Sequence, residues 1–125
     1  ELLRAEGHLA VRTQRVDEGL AMLEAARQNH LDRAEAHVAQ YIGNEILEVL
    51  LEYPDRPYRQ LLSQLEGETS YDYLLWKLKA QFLAREGDFL NAAIVMGENR
   101  LKANDLWKPE DQLMLEDWQA KAGQG

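Results

Sequence analysis

The amino-acid sequence predicts an all-α protein. Of its 125 residues, 46% are hydrophobic, which is enough for a core, and the residues that dominate (Glu, Ala, Leu, Arg and Gln) are good helix formers. Only 3 Pro and 8 Gly interrupt the chain. Apolar residues recur at steps of three and four, which is the spacing of an amphipathic helix. No run rich in Val, Ile and Thr alternates with a period of two, so the sequence contains no strand candidate.

The first pair of helices is predicted over residues 1–30. A helix from Glu1 to Gln14 carries its apolar residues on one side, and a short turn follows at Arg15-Val16. Asp17 is a residue type that favours the N-cap position, so the second helix is expected from Glu18 to Asn29. The apolar residues of the pair are Leu2, Leu3, Leu9, Ala10, Leu20, Met22, Leu23 and Ala26.

The middle pair is predicted over residues 31–68, starting at Leu31-Asp32. One long helix is expected up to Tyr53, because Pro54 disfavours helix at the residue before it. Its apolar residues are Ala34, Val38, Ile42, Ile46, Val49 and Tyr53. A shorter helix from Tyr58 to Leu65 follows Asp55 and Pro57, and Gly67 is expected to close it.

A third pair is predicted over residues 69–104, with Thr69 or Ser70 as its N-cap. Its first helix, Tyr71–Glu86, is expected to place Trp76, Ala80 and Leu83 on one face. Gly87-Asp88 ends that helix and begins the next, Phe89–Lys102, whose inward residues are Ala92 and Met96. Two amphipathic helices joined by a glycine turn form a helical hairpin.

Beyond Asn104, a last helix is predicted from Glu110 to Lys121. Asp105 and Pro109 precede it as start signals. Its apolar residues are Leu113, Leu115, Trp118 and Ala122. Trp107 and Trp118 are interpreted as packing residues, with an aromatic interaction patch around Trp107 as the alternative.

The third hairpin resembles one tetratricopeptide repeat, best over residues 71–104. In that family a Trp, a small residue and a large apolar residue occupy the first helix, a Gly marks the turn, and an Ala lies on the second helix. Those places are held here by Trp76, Ala80, Leu83, Gly87 and Ala92. The resemblance implies an array of three antiparallel helical hairpins, a TPR-like solenoid over residues 1–30, 31–68 and 69–104, with a C-terminal capping helix at 105–122.

Residues 1–68 match the repeat pattern only in a degenerate form. Gly7 stands at the small position, Gln14 where the turn Gly would be, and Gly19 at the place of the crossing Ala. Gly19 and Ala92 are 73 residues apart, which leaves room for one intervening repeat of about 34 residues with a short insertion. The middle pair lacks both the turn Gly and the crossing Ala. A non-repetitive helical bundle and another type of helical-hairpin solenoid are the alternatives.

The composition limits the classes of function. The net charge of −8 disfavours binding to nucleic acid, and it is typical of a soluble acidic surface. No apolar run approaches the roughly 18 residues of a membrane span. The chain has no Cys, which fits either a cytoplasmic or a bacterial periplasmic location. It opens at Glu1-Leu2-Leu3 without an initiator Met, so we expect it to be a piece of a longer protein.

The sequence contains no recognisable catalytic or metal-binding motif. His30 and His37 are seven residues apart, but a predicted turn separates them and no third ligand is evident, whereas zinc sites need three or four. No nucleophile elbow and no glycine-rich phosphate loop are present. We therefore predict that the protein is not an enzyme and uses no cofactor.

The resemblance to tetratricopeptide repeats implies that ligands contact the first helix of each hairpin. Aligned on Trp76 and Ala80, the groove-facing residues are Arg4, His8, Arg12, Lys77, Gln81 and Arg85. Basic residues thus recur at equivalent places in an acidic chain, which suggests an acidic partner segment or a C-terminal carboxylate. The alternative is that these are ordinary solvated charges.

We therefore expect a non-catalytic scaffold for protein–protein interaction that binds a partner segment in a concave groove. It would be a module of a larger bacterial protein, such as an envelope assembly factor, a secretion component or a regulatory protein. The alternatives are a self-association domain that dimerises, and a sensory or effector domain of a transcription regulator.

Overall fold

The protein is all-α, as the sequence predicts. A computed structural model describes residues 2–69 and 71–124, and within them it contains seven α-helices, one short 3-10 helix and no strand. The α-helices are α1 (Leu2–Arg12), α2 (Val16–Asp32), α3 (Ala36–Glu52), α4 (Arg59–Glu68), α5 (Tyr73–Arg85), α6 (Phe89–Ala103) and α7 (Pro109–Gln124). The 3-10 helix, Asn104–Leu106, lies between α6 and α7.

The chain divides into two compact units, Glu1–Leu65 and Glu66–Gly125. In the first unit α1 packs on α2 and α2 packs on α3. In the second unit α5 packs on α6 and α6 packs on α7.

Glycines bring the helices of the first unit close together. A Cβ on Gly19 of α2 would lie 2.6 Å from the Gly7 carbonyl oxygen of α1 and 2.6 Å from a Val11 methyl group. A Cβ on Gly43 of α3 would lie 2.9 Å from the methyl groups of Leu65 in α4. Only residues without a side chain fit these crossings, which agrees with the small positions that the sequence assigns to Gly7 and Gly19.

Three turns between helices share one geometry. Gln14, Ala34 and Gly87 have positive φ values of 70°, 59° and 88°. In each turn the amide of this residue donates to the carbonyl three residues earlier, and the next amide donates to the carbonyl five residues earlier, at 2.8 to 3.2 Å. This is the Schellman motif, in which a left-handed residue ends a helix and satisfies its last carbonyls. The turn predicted at Gly87 is therefore confirmed. The turn predicted at Arg15-Val16 lies earlier in the chain, because α1 ends at Arg12 and Val16 already begins α2. Its left-handed residue is Gln14, which holds the place of the turn Gly in the repeat pattern.

Two helix boundaries in the first unit differ from the prediction. The break predicted at Leu31-Asp32 is wrong, because α2 continues to Asp32 and Ala34 lies in the turn instead of starting α3. The predicted N-cap Asp17 is also wrong, since α2 begins at Val16 and Asp17 lies in its first turn. There Asp17 accepts a hydrogen bond of 2.6 Å from the Nε of Arg56, which lowers the pKa of the Asp17 carboxyl.

Two further boundaries are corrected in the stretch from α4 to α5. Gly67, predicted to close the helix, lies inside α4, which ends at Glu68. Asp72, not Thr69, is the N-cap of α5, where its carboxylate accepts a hydrogen bond of 2.8 Å from the Leu75 amide. Ser70, the other predicted cap, lies outside the described residues.

The core of the second unit forms where α5, α6 and α7 meet. Its buried residues are Ala80, Ala92, Met96, Leu115 and Trp118. Leu83 and Trp107 are partly buried and pack against this cluster. Both Trp107 and Trp118 are therefore packing residues, and the Nε1 of Trp107 also donates a hydrogen bond of 3.1 Å to Gln112. Small Ala80 and Ala92, both fully buried, leave room for the bulky Met96 and Trp118.

Candidate functional site: an apolar groove between α6 and α7

Two of the predicted groove residues in the first unit are bound to an acidic residue of the same unit. Arg4 Nη2 and His8 Nε2 each lie 2.5 Å from a carboxylate oxygen of Glu45 in α3. These contacts direct the two basic side chains of α1 toward α3. Arg12, one turn further along α1, is exposed and makes no ion pair or side-chain hydrogen bond with another described residue.

In the second unit, Lys77 contributes to internal packing. Its ammonium lies 2.8 Å from a carboxylate oxygen of Asp111, and the Asp111 side chain is 0% exposed. The other Asp111 oxygen accepts a hydrogen bond of 3.2 Å from the Lys108 amide, so Asp111 also caps the start of α7. Burial raises the pKa of Asp111, and the hydrogen bond from Lys108 opposes this shift.

The remaining predicted groove residues of this unit are half-buried. The guanidinium carbon of Arg85 lies 4.9 Å from the centre of the Phe82 ring, and Gln81 occupies the middle of the same helix. Arg4, His8 and Arg12 belong to one unit, while Lys77, Gln81 and Arg85 belong to the other. That all six line one face therefore stays a prediction.

Trp76, which was predicted on one face with Ala80 and Leu83, lies at the edge of the core. The side chain is only half-buried, and the neighbouring Leu75 and Leu78 are 1% and 2% exposed. Tyr71 contacts the Trp76 ring edge-on, with ring centres 5.2 Å apart, and the Lys102 ammonium lies 4.6 Å from the same ring centre. A cavity of 170 Å³ adjoins this ring, and its lining is mixed, with Glu66, Lys79 and Glu98 among apolar residues.

A mainly apolar opening lies between α6 and α7. It has a volume of 590 Å³. On the α6 side it is lined by Leu90, Ala93, Ile94, Gly97, Glu98 and Leu101, and on the α7 side by Gln119, Ala122 and Gly123. We call this opening the α6–α7 groove. Among the described residues, Glu98 is the only charged residue that lines the groove, and none of them forms an ion pair with its carboxylate.

The floor of the α6–α7 groove is a stripe of apolar residues that the second unit leaves exposed. Leu90, Ile94, Gly97 and Leu101 follow one another at steps of four, three and four, so they share one helix face. Leu90 is 61%, Ile94 48% and Leu101 82% exposed. The opposite face of α6 carries the buried residues Ala92 and Met96. Helix α6 is thus apolar on two faces, and its own unit covers only one of them.

Sequence reasoning missed this stripe, although the signal was present. Ala92 and Met96 were predicted to form the inward face of this helix, and its other face carried no prediction. Leu90, Ile94 and Leu101 have helical spacing of their own, which indicates a second apolar face. Two apolar faces on one helix predict either a fully buried helix or a second contact surface.

No cluster of three or more His, Asp or Glu side chains within residues 2–69 and 71–124 is arranged to hold a metal ion. In the same part of the chain, none of the helices combines the length and the apolar character that crossing a bilayer requires. The Tyr71 hydroxyl donates a hydrogen bond of 2.6 Å to buried Asn99, and burial raises the pKa of Tyr71, with the Asp72 charge adding to the shift.

Neither a family model, nor a curated protein, nor a solved structure matches this chain.

Proposed function

We propose that the protein is a non-catalytic module for protein–protein interaction that binds its partner in the α6–α7 groove. The observation that carries this proposal is the exposed stripe of Leu90, Ile94, Gly97 and Leu101 on α6. Exposed Leu or Ile residues that are scattered singly need no explanation, but a contiguous apolar patch on a soluble protein marks a site of interaction.

A partner that covered the stripe would gain free energy by removing its apolar side chains from water. Large apolar side chains gain about 1.5–3 kcal/mol each when they move from water into an apolar contact. Leu90, Ile94 and Leu101 retain about half or more of their exposure, so most of that gain is still available to a partner. Residues of α7 line one side of the stripe, so a docking segment would also contact Gln119, Ala122 and Gly123.

The helical-repeat interpretation is part of the proposal. Gly7, Gln14 and Gly19 precede Ala80, Gly87 and Ala92 by the same 73 residues. Gln14 and Gly87 adopt the same left-handed turn with the same hydrogen bonds, and the paired small residues are buried. Two hairpins of one design support a tetratricopeptide-like scaffold, an architecture that builds surfaces for other proteins.

A second surface, the basic face predicted from the repeat pattern, remains a competing proposal for the same function. Arg12 is its most available member, because Arg4 and Lys77 are bound to Glu45 and Asp111 of their own units. Arg12→Glu should weaken partner binding if this face is used, and it should change nothing if the partner docks in the α6–α7 groove.

The groove is tested by a charge substitution in its floor with a matched control. Ile94→Glu places a carboxylate in the groove, and Leu113→Glu makes the same kind of change at a residue of α7 that is 67% exposed and does not line the groove. Each immobilised variant is incubated with extract from the source cells, and the retained proteins are compared by quantitative mass spectrometry.

The expected result is a set of proteins retained by the wild type and by Leu113→Glu but lost by Ile94→Glu. Urea unfolding should give similar midpoints for the two variants, because both positions are exposed. Equal retention by all three proteins would reject the groove as the binding surface. If only Arg12→Glu fails to retain these proteins, the basic face and not the α6–α7 groove is the binding surface.

A further inference from the structure

We propose that the α6–α7 groove takes a single amphipathic α-helix of a partner protein. This helix approaches α6 most closely at Gly97 and places a Lys or Arg side chain opposite Glu98. The inference rests on the proposed function, in that it names the occupant of the same groove. Three observations carry it: the spacing of the stripe, the open space at Gly97 and the charge of the lining.

The spacing of the stripe fits a helix. Steps of four, three and four between Leu90, Ile94, Gly97 and Leu101 are those of a heptad seam, in which apolar residues repeat every 3.5 residues on average. From Leu90 to Leu101 the stripe is about 16 Å long, or three helical turns. A partner helix with apolar residues at the same spacing would set them into the groove, as amphipathic helices do in other grooves.

Gly97 leaves open space over the backbone of α6 within the apolar stripe. A glycine inside a helix is destabilising relative to alanine, and is retained where something must come close to the backbone. Gly7, Gly19 and Gly43 each have such a neighbour, because a Cβ on any of them would lie within 3.0 Å of another atom. A Cβ on Gly97 would meet nothing within 4 Å. Because Gly97 lies at the centre of the apolar stripe, a partner backbone can come closest to α6 at this residue.

The charge of the lining favours a basic occupant. Glu98 is exposed, lines the groove and has no ion-pair partner among the described residues. The whole chain carries a net charge of −8, which attracts cationic segments over a distance and repels acidic ones. A Lys or Arg beside the apolar residues of the partner helix would pair with Glu98 at the rim of the groove.

A second copy of the chain suits this surface poorly. Three large side chains leave on the order of 400 Å² of apolar area, whereas a stable dimer interface buries about 800 Å² on each partner. A two-fold dimer also brings the same patch onto itself, so that Glu98 would meet its own copy between two chains of charge −8. A single cationic helix avoids both costs.

The test uses three synthetic peptides of about 20 residues, long enough to form a helix on binding. The first repeats Leu at heptad spacing with Lys at the flanking positions. The second has Glu at those positions, and the third keeps the Lys but scrambles the Leu spacing. Each peptide carries a fluorophore and is titrated with the protein at about 0.1 M salt, where surface charges are only partly screened. Fluorescence anisotropy reports the binding.

We expect the Lys peptide to bind at least about tenfold more tightly than either of the others. Gly97→Leu should weaken its binding by about tenfold or more, because the side chain fills the space that the partner backbone needs. Gly67→Leu is the matched control, since Gly67 is also a helical glycine with nothing within 4 Å of a Cβ, and it lies outside the groove. Glu98→Gln should reduce the preference for the Lys peptide over the Glu peptide.

Each contrary result overturns a stated part of the inference. Equal binding of the Lys and Glu peptides would reject the basic partner, and unchanged binding to Gly97→Leu would reject the close approach at Gly97. If no peptide binds and sedimentation equilibrium shows a dimer that Ile94→Glu dissociates, the occupant is a second copy and the inference is wrong. A third outcome separates the inference from the proposed function. If the protein is monomeric and no peptide binds, but the cell extract still distinguishes Ile94→Glu from Leu113→Glu, the helical partner is rejected and the proposed function is supported.

Discussion

Ala34 offers a test of the turn geometry, because it holds a backbone conformation that suits glycine. Its φ of 59° is left-handed, and it occupies the same place in the α2–α3 turn that Gly87 occupies in the α5–α6 turn. The Ala34 side chain is exposed, so its methyl group contributes little packing. Replacing Ala34 by Gly therefore changes the backbone preference and almost nothing else.

The expected gain follows from two opposing terms. A residue with a Cβ pays about 1–2 kcal/mol for the left-handed conformation, and glycine avoids this cost. Glycine also has more freedom in the unfolded chain, which costs about 0.4–1 kcal/mol on folding. The net prediction is that Ala34→Gly raises the free energy of unfolding by about 0.5–1 kcal/mol. With a urea m value of about 1.5 kcal/mol/M, the midpoint should rise by about 0.3–0.7 M.

The assay is urea unfolding followed by circular dichroism, with Gly67→Ala as the control for substitutions between the same two residues. Gly67 lies inside α4 with open space around it, so Ala should be the more stable residue there by about 0.5–1 kcal/mol. Glycine should thus stabilise the protein at position 34 and destabilise it at position 67. A lower midpoint for Ala34→Gly than for the wild type would show that Ala34 is not left-handed, and that α2 and α3 are joined differently.

Three further predictions concern crossings and charge. Gly19→Ala and Ala92→Leu should each lower the free energy of unfolding by about 1–3 kcal/mol, because both positions are closely packed and the added atoms have no room; an unchanged urea midpoint would contradict the crossing at that residue. Burial raises the pKa of the Asp111 carboxyl, so the folded protein holds the Asp111 proton more tightly than the unfolded chain does. The contribution of Asp111 to the free energy of unfolding is therefore largest below its unfolded pKa of about 3.9. That contribution falls as the pH rises through the folded pKa. In urea midpoints measured across this range, the stability of the wild type relative to Asp111→Asn should therefore decrease with pH, and a constant difference would contradict the raised pKa.

Much of the local structure could be predicted from the sequence, because an amphipathic helix repeats its apolar residues at steps of three and four. The periodic apolar residues predicted all seven α-helices, with boundaries close to those observed in α1, α6 and α7. The turn at Gly87 was predicted because glycine is the residue that tolerates its left-handed backbone. The boundary predicted at Leu31-Asp32 was wrong, because the left-handed residue of the α2–α3 turn is Ala34 and not a glycine. An alanine in a left-handed turn looks like any alanine of a helix.

The candidate site was harder to predict, because it depends on contacts between residues distant in the chain. Lys77 and Asp111 are 34 positions apart, and Arg4 and Glu45 are 41 apart, so no spacing rule links them. Without these partners, Arg4 and Lys77 appeared in the sequence as available cations. Trp76 matched the repeat pattern as a core residue, but the extent of its burial depends on its neighbours. Tyr71 and Lys102 contact its ring, and the repeat pattern does not predict those contacts.

The helical character of the chain and the positions of its helices follow from residue type and local spacing, so the sequence alone was enough to predict them. The small residues at the crossings, Gly7 with Gly19 and Ala80 with Ala92, could also be identified in this way. Which apolar face of α6 is buried depends on tertiary packing and could not be read from spacing. Ala92 and Met96 lie against α5 and α7, while Leu90, Ile94 and Leu101 remain exposed. Periodicity shows that a face is apolar, but burial requires a neighbour, and neighbours are chosen by the packing of the whole unit.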